Sequence, residues 1–176
     1  SLIRANCRIV ILGNHDIHAA SIIPKSNTYF QYPENWYRLN YHERRTLANN
    51  TLWLHEENDL DPLYKEGDIE YLRSLPEFVH KEFSGIKTLF THYVYPNISG
   101  LKKEFYTYTV EFKEHFDYMG SLNCQISFTG HAHVKGFFVA TKRRFKQYRY
   151  RSLKLKKYPC CIGIPPVTSL NKRNGF

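Results

Sequence analysis

The apolar positions of the chain predict a mixed α/β protein. Three short segments, at residues 8–12, 86–90 and 125–129, are predicted to be buried strands. The first is almost continuously apolar, and the other two combine apolar residues with polar ones. Towards the C-terminus, residues 135–141, 145–155 and 160–163 suit strands, and apolar or aromatic residues alternate with basic ones over 148–151 and 153–156. This part predicts antiparallel hairpins, because strand side chains point alternately to opposite faces.

Two other segments carry a helical pattern. Asp68 suits the cap of a helix that we expect to extend to about residue 83, with Pro76 as a break. Thr109 suits the cap of a second helix, whose apolar residues recur at spacings of four, three and three. These residues are Phe112, Phe116, Met119 and Leu122.

Residues 19–60 show neither period and are predicted to be irregular, apart from 51–55, which suits a strand. The segment is rich in aromatic side chains, namely Tyr29, Phe30, Tyr32, Trp36, Tyr37 and Tyr41. Aromatic side chains of this kind either pack in a core, which is the commoner role and the one we favour, or line a pocket.

Length and composition fit one globular domain over residues 1–176, since the chain is 42% hydrophobic and 16% aromatic. No apolar run reaches the roughly 18 residues that cross a bilayer, so no membrane span is predicted. The chain begins Ser1-Leu2-Ile3, its single methionine is Met119, and it stops where a new strand would begin. We therefore expect both ends to be cut from a longer protein.

The four cysteines are Cys7, Cys124, Cys160 and Cys161, and none has C-x-x-C spacing. Buried, reduced thiols in a cytoplasmic protein are the expected interpretation, with disulfides as the alternative in an oxidising compartment.

Charge is concentrated near the C-terminus. The chain carries a net charge of +9, and residues 142–157 contain nine Lys or Arg, no acid, and interleaved aromatic residues. Such a segment attracts a polyanion, either nucleic acid or a phosphorylated substrate. It also suits the solvent-facing side of a hairpin, and the two interpretations are compatible.

Side chains able to bind metal follow each of the three predicted strands. Asn14 and His15 come after the first strand, His92 after the second, and His131 and His133 after the third. Because sites in α/β sheets form at the carboxyl ends of strands, we expect these side chains to meet in space. Imidazole nitrogens combined with an oxygen ligand suit Zn, Mn, Fe or Co.

These residues, in this order, resemble the calcineurin-like metallophosphoesterases. The resemblance rests on G-N-H-D at 13–16, on His92 and on G-H-A-H at 130–133, and it covers roughly residues 9–133. It implies an α/β (α+β) fold in which two sheets form a sandwich flanked by helices. The C-terminal hairpins would then belong to the second sheet.

The resemblance also implies two divalent metal ions, of Mn, Fe or Zn. Asn14, His92 and His131 would bind one metal and His133 the other. A pair of metals about 3.5–4 Å apart activates water and neutralises phosphoryl oxygens, so the implied activity is hydrolysis of phosphate esters by a phosphodiesterase or phosphatase.

Two catalytic residues are implied as well. His15 would stabilise a phosphoryl oxygen or protonate the leaving group, and Asp16 would accept a hydrogen bond from His15. The expected substrate is a phosphorylated small molecule or a nucleotide. Lys172 and Arg173 are candidates for contacting its phosphate.

One departure from the family matters. The family's D-x-H and G-D-x-x-D sequences do not precede Gly13, since the first twelve residues contain neither acid nor histidine. Gly67-Asp68 comes too late and suits a helix start. Either the N-terminal strands belong to a longer protein, which we favour, or the chain is a catalytically incomplete phosphate- or nucleic-acid-binding module. A single structural metal held by Asn14, His92, His131 and His133 is a third alternative, although structural sites usually use four Cys or His ligands.

Overall fold

The computed structural model describes residues 2–55, 63–149, 151–155 and 158–166, and these residues form one mixed sheet with helices around it. In this part of the chain the six strands are β1 (Phe78–Phe83), β2 (Ile86–Thr91), β3 (Ile126–Thr129), β4 (Phe137–Thr141), β5 (Arg144–Tyr148) and β6 (Cys160–Gly163). Their spatial order is β1-β2-β3-β6-β4-β5, with β2, β3 and β6 mutually parallel. The predicted α+β class is confirmed.

The described helices are short. They are α1 (Leu2–Asn6), α2 (Asn14–Ala19), α3 (Tyr41–Ala48), α4 (Glu66–Ser74) and α5 (Lys113–Ser121), with single 3₁₀ turns at Trp36–Arg38 and Thr109–Phe112. Among the described residues, no helix has the length and apolar character needed to cross a membrane.

The main core lies between α5 and one face of the sheet. Phe112, Phe116 and Met119 are buried there against Leu89 and Phe138, as the helical spacing predicted. The helix differs from the prediction at both ends, since residues 109–112 form a 3₁₀ turn and Leu122 follows its last residue, Ser121. The buried thiols Cys124, Cys160 and Cys161 are free, as expected, whereas the free thiol of Cys7 is exposed.

A second cluster forms around Trp36, Ala48 and Leu52, with Tyr29, Phe30, Tyr32 and Tyr37 packed against it. Packing is therefore confirmed as the role of these five aromatic residues, whereas Tyr41 is outside the cluster. The prediction of irregular structure is wrong for 41–48, which form α3. Asn40 Oδ1 accepts the Glu43 N–H at 3.1 Å, and Glu43 accepts the Asn40 N–H at 2.8 Å. This reciprocal cap, rather than an apolar stripe, marks the helix, since only its last residue is buried.

The predicted strand at residues 8–12 is wrong. Leu12 is buried, and its N–H donates to the Pro76 carbonyl at 2.9 Å, but no ladder includes the segment among the described residues. An apolar run supplies the burial that a strand needs, while the strand itself requires a hydrogen-bonded neighbour along its length.

Two other boundaries are corrected. The helix predicted from Asp68 to about residue 83 ends at Ser74, because the residue before a proline disfavours helical backbone, and Leu75 is extended with ψ of 143°. Residues 78–83 instead form β1, which pairs with β2. The predicted strand at 51–55 is reduced to one bridge, between Leu52 and Lys102.

The C-terminal hairpin belongs to the same sheet as the central strands, so the prediction that it forms part of a second sheet is wrong. Strand β6 pairs with β3 in parallel and with β4 in the antiparallel sense, and it thereby joins the hairpin to the sheet. Strand β5 ends at Tyr148, and residues 151–155 have no regular structure, unlike the long strand predicted up to 155.

Candidate metal centre

Two of the predicted ligands meet at one edge of the sheet. Strands β2 and β3 are parallel and in register, with Thr91 opposite Thr129. His92 directly follows β2, and His131 comes two residues after the end of β3. Their rings meet edge to face, with centroids 5.0 Å apart.

Asn14 joins them from the start of α2. Gly13, the residue before it, lies against the His92 ring, and a Cβ on Gly13 would sit 3.0 Å from His92 Cε1 and Nδ1. The backbone of Gly13 has φ of −105°, so the glycine is needed for this close approach and not for an unusual turn. The Asn14 side chain is buried at the same place.

The donor atoms of the three side chains converge. His92 Nε2 lies 2.8 Å from Asn14 Oδ1 and 3.2 Å from His131 Nδ1. Ligands bound at about 2.0–2.2 Å from one metal ion are themselves about 3–3.5 Å apart. The spacing and the donor set of one amide oxygen and two imidazole nitrogens therefore fit a single Mn, Fe or Zn ion.

His131 is held in a tight aromatic surrounding. Its ring lies 4.9 Å from Tyr93 and 5.4 Å from Phe105, between centroids. Gly100 makes room for it, because a Cβ at that position would come within 2.6 Å of His131 Nδ1. His131 itself has φ of +60°, a conformation that non-glycine residues adopt at a cost and that is common at functional sites.

Both imidazoles are neutral near neutral pH. Burial lowers the pKa of His92 from its ordinary 6.5 to about 3, and nearby histidines, His131 first, add to this effect. Burial also lowers the pKa of His131 to about 4, with a smaller contribution from His133. A metal ligand must be unprotonated, so these groups are in the form that binds a cation.

The other predicted site residues lie around this cluster. His133 is exposed, has φ of +46°, and is close enough to lower the pKa of the half-buried His92 and His131. His15 is exposed in the first turn of α2. Asp16 Oδ2 accepts the Gly13 N–H at 2.9 Å, which caps the helix. The hydrogen bond expected from His15 to Asp16 stays a prediction.

His55 lies beside the cluster, although the sequence pattern did not predict it there. Its side chain is buried, its Nε2 lies 3.2 Å from Asn14 Nδ2, and its ring is 4.4 Å from that of His15, between centroids. The sequence offered only a weak signal, namely that His55 ends the partly apolar stretch 51–55.

The remaining candidates are not part of the described cluster. Lys172 and Arg173 lie outside the described residues. The basic segment 142–157 is described except at 150, 156 and 157, and it includes strand β5 and residues beside it. Arg144 and Lys146 are exposed on that strand.

The composition of the cluster distinguishes it from a common structural metal site. Among the described residues, no group of three or more His, Cys, Asp or Glu could hold a metal ion. The asparagine is therefore essential to the candidate set, which provides three ligands for one metal.

Comparisons with known proteins neither extend nor correct this picture. No protein-family model, curated protein or solved structure matches the chain. The functional assignment consequently rests on the residues and their geometry alone.

Proposed function

We propose that the protein is a metal-dependent hydrolase of phosphate esters, of the calcineurin-like metallophosphoesterase type. The observation that supports this proposal is the placement of His92 Nε2 at 2.8 Å from Asn14 Oδ1 and at 3.2 Å from His131 Nδ1, in a neutral and largely buried setting. Structural metal sites usually use four Cys or His ligands, so the buried amide of Asn14 favours a catalytic site over a structural one.

In this proposal, different side chains bind metal and donate the proton. Asn14, His92 and His131 would hold one cation, and His133 would contribute to a second one together with ligands outside the described residues. A bound divalent cation supplies a positive charge for phosphoryl oxygens and lowers the pKa of water. His15 is exposed at the rim of the cluster, where its imidazole would give a proton to the departing alkoxide oxygen.

Hydrolysis and metal content test the proposal together. The intact protein with Mn²⁺ is expected to hydrolyse bis-p-nitrophenyl phosphate, p-nitrophenyl phosphate, or both, and the preferred substrate separates a diesterase from a phosphatase. Two bound Mn, Fe or Zn ions per chain are expected. One tight Zn²⁺ and no turnover of either substrate would instead identify a structural site.

A second candidate function is binding of a polyanion. Exposed Arg144 and Lys146 lie on the same face of β5 as Tyr148, and the Lys146 ammonium is 5.1 Å from the centre of the Tyr148 ring. The guanidinium carbon of Arg151 lies 6.0 Å from the same ring centre. Cations beside an aromatic side chain are typical of surfaces that bind single-stranded nucleic acid.

Salt dependence checks this second function. The double variant Arg144→Gln/Lys146→Gln is expected to weaken binding of a labelled single-stranded oligonucleotide. It should also reduce the slope of log K against log salt by about 0.7 for each phosphate that the hairpin no longer neutralises. His131→Ala should leave oligonucleotide binding unchanged, because His131 lies in the histidine cluster and not on β5. Equal binding by the double variant and the wild type would remove the hairpin as the interface.

A further inference from the structure

His55 occupies a fixed position beside the candidate ligand Asn14. The strand-like segment that carries it is tied to residues 101–103, since the Trp53 N–H donates to Leu101 O and the Lys103 N–H donates to Thr51 O, both at 2.8 Å. Leu52 anchors the same segment in the aromatic cluster around Trp36. These contacts place His55 beside the candidate ligands on a segment that contributes no candidate ligand of its own.

The hydrogen bond from Asn14 to His55 decides which way the amide faces. A carboxamide has one end that binds cations, the oxygen, and one that does not, the NH₂ group. Asn14 Nδ2 donates to His55 Nε2 at 3.2 Å, while Asn14 Oδ1 faces His92 Nε2 at 2.8 Å. If the amide were turned over, its oxygen would face the lone pair on His55 Nε2, and its NH₂ group would face the cluster.

We propose that His55 is a positioning residue that holds the Asn14 carboxamide with its oxygen towards the metal. It does so as the tautomer with its proton on Nδ1, since Nε2 accepts the Asn14 N–H. Contact of the His55 ring with that of His15 places the same residue next to the candidate proton donor. This inference rests on the proposed function in so far as Asn14 is a ligand.

The metal-free protein provides the first test. Nitrogen NMR of labelled histidine is expected to report the proton of His55 on Nδ1, and substitution of His55 should shift the side-chain amide signals of Asn14. A proton on Nε2 of His55, or Asn14 amide signals unaffected by His55→Leu, would overturn the positioning role. This test is independent of whether any metal binds.

Mn²⁺ titration by calorimetry provides the second. His55→Leu, which has no acceptor, and His55→Asn, whose oxygen is too near the backbone to replace Nε2, are expected to weaken Mn²⁺ binding about 10–100-fold, as loss of an outer hydrogen-bond partner does at other metal sites. His55→Gln should keep binding within a few-fold of wild type, because its Oε1 can accept in place of Nε2. His42→Leu, an exposed histidine on α3, is the matched control and should bind as wild type.

A double substitution isolates the orientation of the amide. Asn14→Asp presents an oxygen whichever way its side chain faces, so adding His55→Leu to Asn14→Asp should cost no further affinity. An equal loss in both backgrounds would mean that His55 acts only through general packing, and the inference would be wrong. Absence of Mn²⁺ binding by the wild type would count against the proposed function, whereas the NMR test would still decide the role of His55.

Discussion

Replacing His131 with alanine is expected to abolish Mn²⁺ binding at the cluster and to lower hydrolysis of p-nitrophenyl phosphate esters by at least about 100-fold. Removing a hydrogen-bond partner of a metal ligand already lowers metal affinity or activity about 10–100-fold, so removing the ligand itself should lower them at least as much. His131 is the central case because its Nδ1 faces His92 Nε2, and its ring is packed against Tyr93 and Phe105 in a strained backbone conformation.

Hydrolysis and metal content should fall together in this variant. Circular dichroism identifies any loss of fold, and His92→Ala repeats the test at the neighbouring strand end. His80→Ala is the control, since His80 is an exposed histidine on β1. Full hydrolytic activity in folded His131→Ala would exclude this cluster as the active site, whatever the protein's substrate.

The strands that the sequence predicted best lie at the centre of the sheet. Residues 86–90, 125–129 and 160–163 correspond to β2, β3 and β6, with boundaries shifted by one residue or less. Each of these strands has a hydrogen-bonded neighbour on both sides, and all their residues except Lys87 are buried or half-buried. Their apolar residues were a sufficient signal, because burial and hydrogen bonding coincide there.

Apolar residues were a misleading signal where burial and hydrogen-bonded strand pairing do not occur together. The apolar run at residues 8–12 lacks a hydrogen-bonded neighbour among the described residues, although Leu12 is buried. Strand β1 is paired but poorly buried, since its last four residues are exposed. Its sequence also continued the pattern of the preceding helix. Pro76 ends that helix, and pairing with β2 then determines the strand, which periodicity along one segment cannot reveal.

The site was more predictable than the fold around it. Asn14, His92 and His131 were predicted to meet, and they do. The rule that parallel strands end at the same edge accounts for His92 and His131, which follow β2 and β3, whereas Asn14 comes from the start of α2 and not from a strand end. His55 could not be inferred in the same way, because its position depends on the contact of residues 51–53 with 101–103. The role of Gly100 could not be inferred from the sequence either, because glycine is required there only by the His131 ring beside it.

A different buried histidine links the loop after β2, helix α5 and strand β3. His115 Nδ1 accepts the Tyr95 N–H at 2.9 Å, which leaves its Nε2–H to donate to Ser127 Oγ at 2.8 Å. The side chain is fully buried, and burial lowers its pKa from 6.5 to about 3. The folded protein consequently keeps His115 neutral under conditions in which the unfolded chain protonates it.

Stability should therefore fall as pH decreases below about 6.5. Between that value and the folded pKa of about 3, the unfolded state binds one more proton at this site, so His115 alone lowers the free energy of unfolding by about 1.4 kcal/mol per pH unit. Above pH 6.5 neither state is protonated there, and the contribution of His115 no longer changes with pH. Urea unfolding at several pH values from 4.5 to 7.5 measures the slope.

Replacing His115 with asparagine separates its titration from that of every other group. His115→Asn retains an acceptor for the Tyr95 N–H but does not titrate, so its free energy of unfolding should depend less steeply on pH by that amount, even though the variant is less stable at pH 7. The exposed His42→Asn substitution should leave the wild-type slope unchanged. Identical slopes for wild type and His115→Asn would show that His115 is not held neutral by the fold.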